Sequence, residues 1–90
     1  MFHLCTLAVG LVTWCDATGY TGSAPVERGG HVLECTLAMG QVTTCSLPHT
    51  GLITLPRGEG GKYVSCHVDH GFVTRCDATG ANGEAILETR

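Results

Sequence analysis

Six cysteines and five histidines hold most of the reactive chemistry of this 90-residue chain. The cysteines form three pairs, Cys5/Cys15, Cys35/Cys45 and Cys66/Cys76, with the same spacing each time. Thiols so arranged suit three kinds of chemistry: disulfide formation, metal ligation or nucleophilic attack. Structural zinc sites bring two ligands together in a short C-x2–4-C knuckle. Here the paired cysteines are ten apart, and His3, His31, His49, His67 and His70 follow no common pattern, so no metal site is predicted. Cys66-His67, with Asp69 and His70 nearby, invites a nucleophile–base reading. Adjacent residues on a strand point to opposite faces, which places His67 out of reach of Cys66. No other catalytic constellation stands in the sequence, and no catalytic residue or cofactor is predicted.

Disulfides remain as the reading of the cysteines. An even number of cysteines in a short chain favours an oxidising compartment, and six allow 15 connectivities. Bridges within each pair are favoured, with symmetric bridges between neighbouring copies as the alternative.

A second group of residues could bind a ligand. Asp16-Ala17-Thr18-Gly19 is repeated as Asp77-Ala78-Thr79-Gly80, while Pro48-His49 stands at the matching place between them. Asp and Thr beside Gly form turns in which the carboxylate accepts backbone N–H bonds. The same groups could instead hold the hydroxyls of a sugar. Trp14 and Arg75 occupy equivalent positions just before these turns, and Tyr20 lies just beyond the first. An aromatic face beside a carboxylate suits a sugar, whose C–H face stacks while its hydroxyls bond. Asp16, Thr18, Trp14, Tyr20, His49, Asp77, Thr79 and Arg75 are the candidate ligand-binding residues.

The elements that position these groups come from a triplication. The pattern C-x4-G-x-V-T-x-C occurs at Cys5, Cys35 and Cys66, at intervals of about thirty residues. Apolar and β-branched residues on both arms, with Gly10, Gly40 or Gly71 at the bend, predict a β-hairpin. Its register stays open. A turn centred on Gly10 sets Cys5 opposite Cys15, whereas a tighter Val9-Gly10 turn sets Cys5 opposite Trp14 and reverses the face of Cys15. A type I turn with Gly10 as a left-handed bulge residue leaves the cysteines diagonal.

After each hairpin a third strand is predicted, at 23–28, 52–57 and 84–89. Its apolar residues alternate: Ala24 and Val26, Ile53 and Leu55, Ala85 and Leu87. That period marks a half-buried strand, and Pro25 and Pro56 put these strands at edges or strand ends. The fold class expected is all-β: one domain, 1–90, of three repeats (1–30, 31–61, 62–90), each of three short antiparallel strands. Units this small must share a core. A pseudo-threefold closed prism or barrel is expected, with an open stack of small sheets as the alternative. The repeat count resembles that of the threefold lectins built as β-prisms and β-trefoils, but no sugar-binding signature of those families stands here.

Composition narrows the function. Charged residues make up 14% of the chain and apolar ones 43%, with a net charge of −3. No basic patch exists for nucleic acid, and no apolar run approaches the ~20 residues that span a bilayer. The run Leu4–Trp14 is the first repeat, not a signal-peptide core, so an exported chain has lost its signal or leaves by another route. A weakly charged, apolar surface favours a homo-oligomer or larger assembly. The function expected is a non-enzymatic structural or surface subunit that self-assembles or docks, in an extracellular or cell- or particle-surface setting. A small multivalent lectin with a glycan partner is the main alternative. An inhibitor presenting the Arg57–Lys62 segment is a third. Complete reduction is expected to add about six daltons, two per bridge; an unchanged mass would remove the disulfide reading.

Overall fold

The computed structural model describes residues 1–89. Nine strands run through it: β1 (Phe2–Ala8), β2 (Leu11–Cys15), β3 (Gly22–Arg28), β4 (His31–Ala38), β5 (Gln41–Pro48), β6 (Gly51–Leu55), β7 (Val64–Asp69), β8 (Phe72–Cys76) and β9 (Gly83–Glu88). A single 3-10 turn, Glu59–Gly61, interrupts the Gly-rich segment between β6 and β7. The third strands begin one residue earlier than expected, and β6 stops at Leu55, leaving Pro56 just outside.

The strands form three antiparallel sheets of three, in the orders β2-β1-β9, β3-β4-β5 and β6-β7-β8. No sheet closes on itself. Each sheet joins a hairpin to the third strand of the preceding repeat, and β9 from the end of the chain pairs with β1 at its start. The sequence period reveals the units but not this exchange, because a third strand carries no mark of the hairpin it will join.

The hairpin register follows from counting. Ala8 pairs with Leu11, so Val9-Gly10 is a two-residue turn; Met39-Gly40 and His70-Gly71 are its equivalents. Val9, Met39 and His70 have φ 51°, and the glycines after them have φ 81–86°, the signs of a type I′ turn. Such a turn leaves three residues before it and four after it, between the two cysteines. The surplus residue is a bulge at Thr13, Thr43 and Thr74, where the register shifts. Each of these hydroxyls donates to a carbonyl across the hairpin, at Thr6, Thr36 and His67, over 3.1–3.2 Å. With that residue absorbed, Cys5 faces Cys15, Cys35 faces Cys45 and Cys66 faces Cys76, and all three pairs are disulfide-bonded. The tight turn and the opposed cysteines, which look incompatible in sequence, are both present.

Most buried side chains gather in three clusters instead of one shared interior, with Val32 and Val68 buried outside them. One holds Phe2, Ala24, Val26, Cys35 and Leu37, another Cys5, Leu7, Ala81, Ala85 and Leu87, and the third Leu55, Val64 and Cys66. The reason lies in the third strands. Their alternating apolar residues pair beside the cysteine of the adjacent hairpin, as Ala24 does with Cys35, Ile53 with Cys66 and Ala85 with Cys5. Each disulfide thereby has its first cysteine, Cys5, Cys35 or Cys66, packed in a small core, while Cys45 and Cys76 are exposed.

Backbone hydrogen bonds join the sheets, and Phe2 of β1 also packs into the cluster of β3 and β4. Gly40 N–H donates to Tyr20 O, Tyr20 N–H to Phe2 O and Phe2 N–H to Gly40 O, at 2.7–2.9 Å. Gly71, His49 and Val32 form the same three-membered ring of bonds, and so do Gly10, Tyr63 and Ala81. In each ring a buried hairpin glycine docks against a neighbouring repeat. A Cβ at Gly40 would stand 2.7 Å from Phe2 O, in a backbone conformation that side chains rarely adopt. Gly40→Val is expected to cost about 2–4 kcal/mol and to lower the melting temperature by about 10 °C or more. An unaltered melting curve would show that this docking does not hold the fold.

Candidate functional site

The Asp-Thr turns follow β2 and β8. Asp16 Oδ1 accepts from the Thr18 N–H at 2.9 Å and the Thr18 hydroxyl at 2.8 Å; Asp77 and Thr79 repeat both distances. These bonds favour the ionised carboxylate. For Asp16 the Thr18 N–H acts most strongly, then the Thr18 hydroxyl, with His3 a smaller attraction that is outweighed by slight desolvation. For Asp77 the order is the Thr79 N–H and hydroxyl, then desolvation in opposition, then Arg75 and His67. Both carboxyls lie below their ordinary value of 3.8.

What these turns position is the next hairpin. A Cβ at Gly19 would stand 2.9 Å from the Met39 backbone, and one at Gly80 would stand as close to Val9. One residue beyond the ring of backbone bonds, Thr21 Oγ1 accepts the Met39 N–H, Thr50 Oγ1 the His70 N–H, and Asn82 Oδ1 the Val9 N–H. The middle repeat has no Asp-Thr turn; there β5 runs on to Pro48, and the Ser46 hydroxyl donates to Glu34 O at 3.3 Å.

The remaining sequence candidates scatter. Tyr20 packs against the Phe2–Leu37 cluster, and its hydroxyl donates to Ser23 O at 3.1 Å. His49 lies with Nδ1 2.9 Å from Glu34 Oε2 and Nε2 3.2 Å from Leu52 O. Trp14 pairs with Thr6 in one sheet, and Arg75 pairs with His67 in another, where Arg75 Nη2 lies 3.3 Å from His67 Nε2. Trp14 and Arg75 thus belong to different sheets and form no single pocket. His3 Nδ1 donates to Asp16 O at 2.6 Å, an anchor for that turn on which sequence reasoning was silent.

Two surfaces stand out. The first is made of β2, β5 and β8, which pair on one side only. Leu11, Trp14, Leu47 and Phe72 on these strands are 57–74% exposed. The second is a pair of clefts between the third strands, of about 500 and 300 Å³, which share Pro25, Ile53, Thr54 and Ile86. The alternation read from the sequence assigned Ala24/Val26 and their equivalents an inward face. Of the positions between them, Pro25 marks only an edge strand, and Thr54 and Ile86 have no role in that pattern.

Comparisons with protein-family models, curated proteins and solved structures found no match to the chain. The electrostatics of the turns carry their own test. A depressed aspartate pKa adds stability above pH 3.8 and loses it as pH falls through the folded value. The Asp16→Asn, Asp77→Asn double variant is expected to melt below the parent at pH 6, with the gap closing as both are taken to pH 2. A gap independent of pH would show that these carboxylates do not clasp the turns.

Proposed function

We propose that the chain is a non-enzymatic, disulfide-stapled β-repeat subunit that works by self-assembly or docking. Its three sheets are arranged as a pseudo-threefold prism. The cyclic pattern of hydrogen bonds supports the closed form. The second repeat's turn sits on the first repeat, the third's on the second and the first's on the third, through Gly40, Gly71 and Gly10. An open stack would leave one turn without a seat, whereas Gly10 bonds both Ala81 and Tyr63.

The observation that carries the functional reading is the outer strand β2. Leu11, Val12 and Trp14 are 57, 44 and 64% exposed on it, and the strand contains no charge and no proline. Proteins ordinarily protect sheet edges with charges, prolines or covering loops. Of the three outer strands, β5 ends in Pro48 and β8 carries Arg75, so β2 alone of the three has neither device. An edge of unpaired amides beside exposed Leu and Trp suits pairing with another chain. Three disulfides fit an oxidising setting outside the cell or on a particle surface.

A lectin is the second reading. Trp14 is exposed two residues before Asp16, as a stacking face beside a carboxylate requires. A glycan array without a hit, or a hit unaffected by Asp16→Ala and Asp77→Ala, would remove it.

Light scattering across a concentration series is expected to show the mass rising above 9.4 kDa. Trp14→Glu is expected to weaken association about tenfold or more. A parent chain that stays monomeric at high concentration would sink the assembly reading.

A further inference from the structure

The larger axial cleft is built from the third strands of all three sheets. Its volume, about 500 Å³, falls in the range of small-molecule sites. Phe2, Ile53, Leu55 and Ile86 supply apolar wall. Pro25, Thr54 and Ile86 occupy the same position of their strands, three residues after Gly22, Gly51 and Gly83. Two of the three are apolar, and Thr54 brings one hydroxyl to the level shared by both clefts. Glu27, Arg28 and Glu88 also line the cleft, and Arg57 Nη2 lies 2.7 Å from Glu27 Oε2. Among the described residues two carboxylates and two guanidiniums balance there, so an ion of either sign gains little over a neutral group.

We propose that this cleft binds a small uncharged amphipathic molecule, an aliphatic or aromatic body with one hydroxyl or amide. The apolar body lies against Phe2, Ile53, Leu55 and Ile86, and its polar group bonds the Thr54 hydroxyl. Such a molecule adds the shared interior that the three separate clusters do not provide, and its burial drives binding. The balanced charge favours it over a fatty-acid anion or a cationic amphiphile. This site uses the inner strands, so it stands or falls independently of assembly through β2.

The oxidised full-length chain can be titrated with N-phenyl-1-naphthylamine, a neutral fluorescent probe, and the bound probe displaced with 1-octanol. One saturable site per chain is expected, with octanol competing and octanoate competing at least tenfold less well. Ile86→Trp fills the cleft and is expected to abolish binding, whereas Trp14→Ser on the outer face leaves it unchanged. Should Ile86→Trp fail to fold, Thr54→Val tests the same site. It removes one hydrogen bond and is expected to weaken octanol roughly fivefold while sparing the probe. Absence of saturable binding overturns the proposal. So does octanoate matching octanol, retention in a folded Ile86→Trp chain, loss in Trp14→Ser, or octanol binding indifferent to Thr54→Val.

Discussion

A disulfide between neighbouring strands requires its two cysteines to face each other, and that single demand shapes every repeat. The type I′ turn at Val9-Gly10 cannot meet it alone, since the arms between turn and cysteine differ by one residue. A bulge at Thr13 removes the difference, and the threonine hydroxyl bonds the carbonyl opposite. Because side chains alternate along a strand, an unabsorbed residue would turn Cys15 outward and Trp14 inward. The Val-Thr step that recurs in the motif is therefore the part of the sequence that fixes which face is core. The non-glycine residue at φ 51° in each turn is a strain the same geometry imposes, greatest for the β-branched Val9.

The same turn then joins the repeats. Its glycine lies close against the neighbouring repeat, with no room for a Cβ at Gly10 or Gly40 and little at Gly71, and three amide–carbonyl bonds close a ring at each junction. The main-chain bonds at these junctions place no demand on the side chains of the outer strands. This accounts for equivalent outer positions that differ so widely: Leu11, Gln41 and Phe72, or Trp14, Thr44 and Arg75. Quasi-symmetry resides in the backbone, and the outer faces are individual.

Much of this was legible in the residues. The hairpins, the third strands and the cysteines as one chemical class all followed from a motif whose period cannot be a helix. The register did not, because each single-feature solution to the Cys–Gly–Cys spacing satisfied either the turn or the disulfide. Only a turn and a bulge together satisfy both. Sheet membership was also hidden, since a strand such as β3 can pair with the hairpin before it or after it with equal local chemistry. Among the ligand candidates, Asp16 and Thr18 kept their local bonds, as turn chemistry predicts. Tyr20 and His49 turned to packing and to Glu34, partners that lie in other strands. The cleft between the third strands was invisible for a plainer reason: Pro25, Thr54 and Ile86 share a position but no single chemical type.

The division of the core also bears on stability. Three clusters of mostly small side chains bury little apolar area each, and a chain of this size is marginal without covalent help. A bridge closing a loop of about ten residues contributes roughly 2–3 kcal/mol, comparable to the burial of one large apolar side chain. Sulfur thus does in each sheet what a common interior would do for all three. Once each sheet is held by its own bridge and by backbone bonds to its neighbours, the cleft between the third strands need not be filled to keep the fold. The apolar residues that face it are free to serve another purpose, and the edge of β2 is free to remain uncovered.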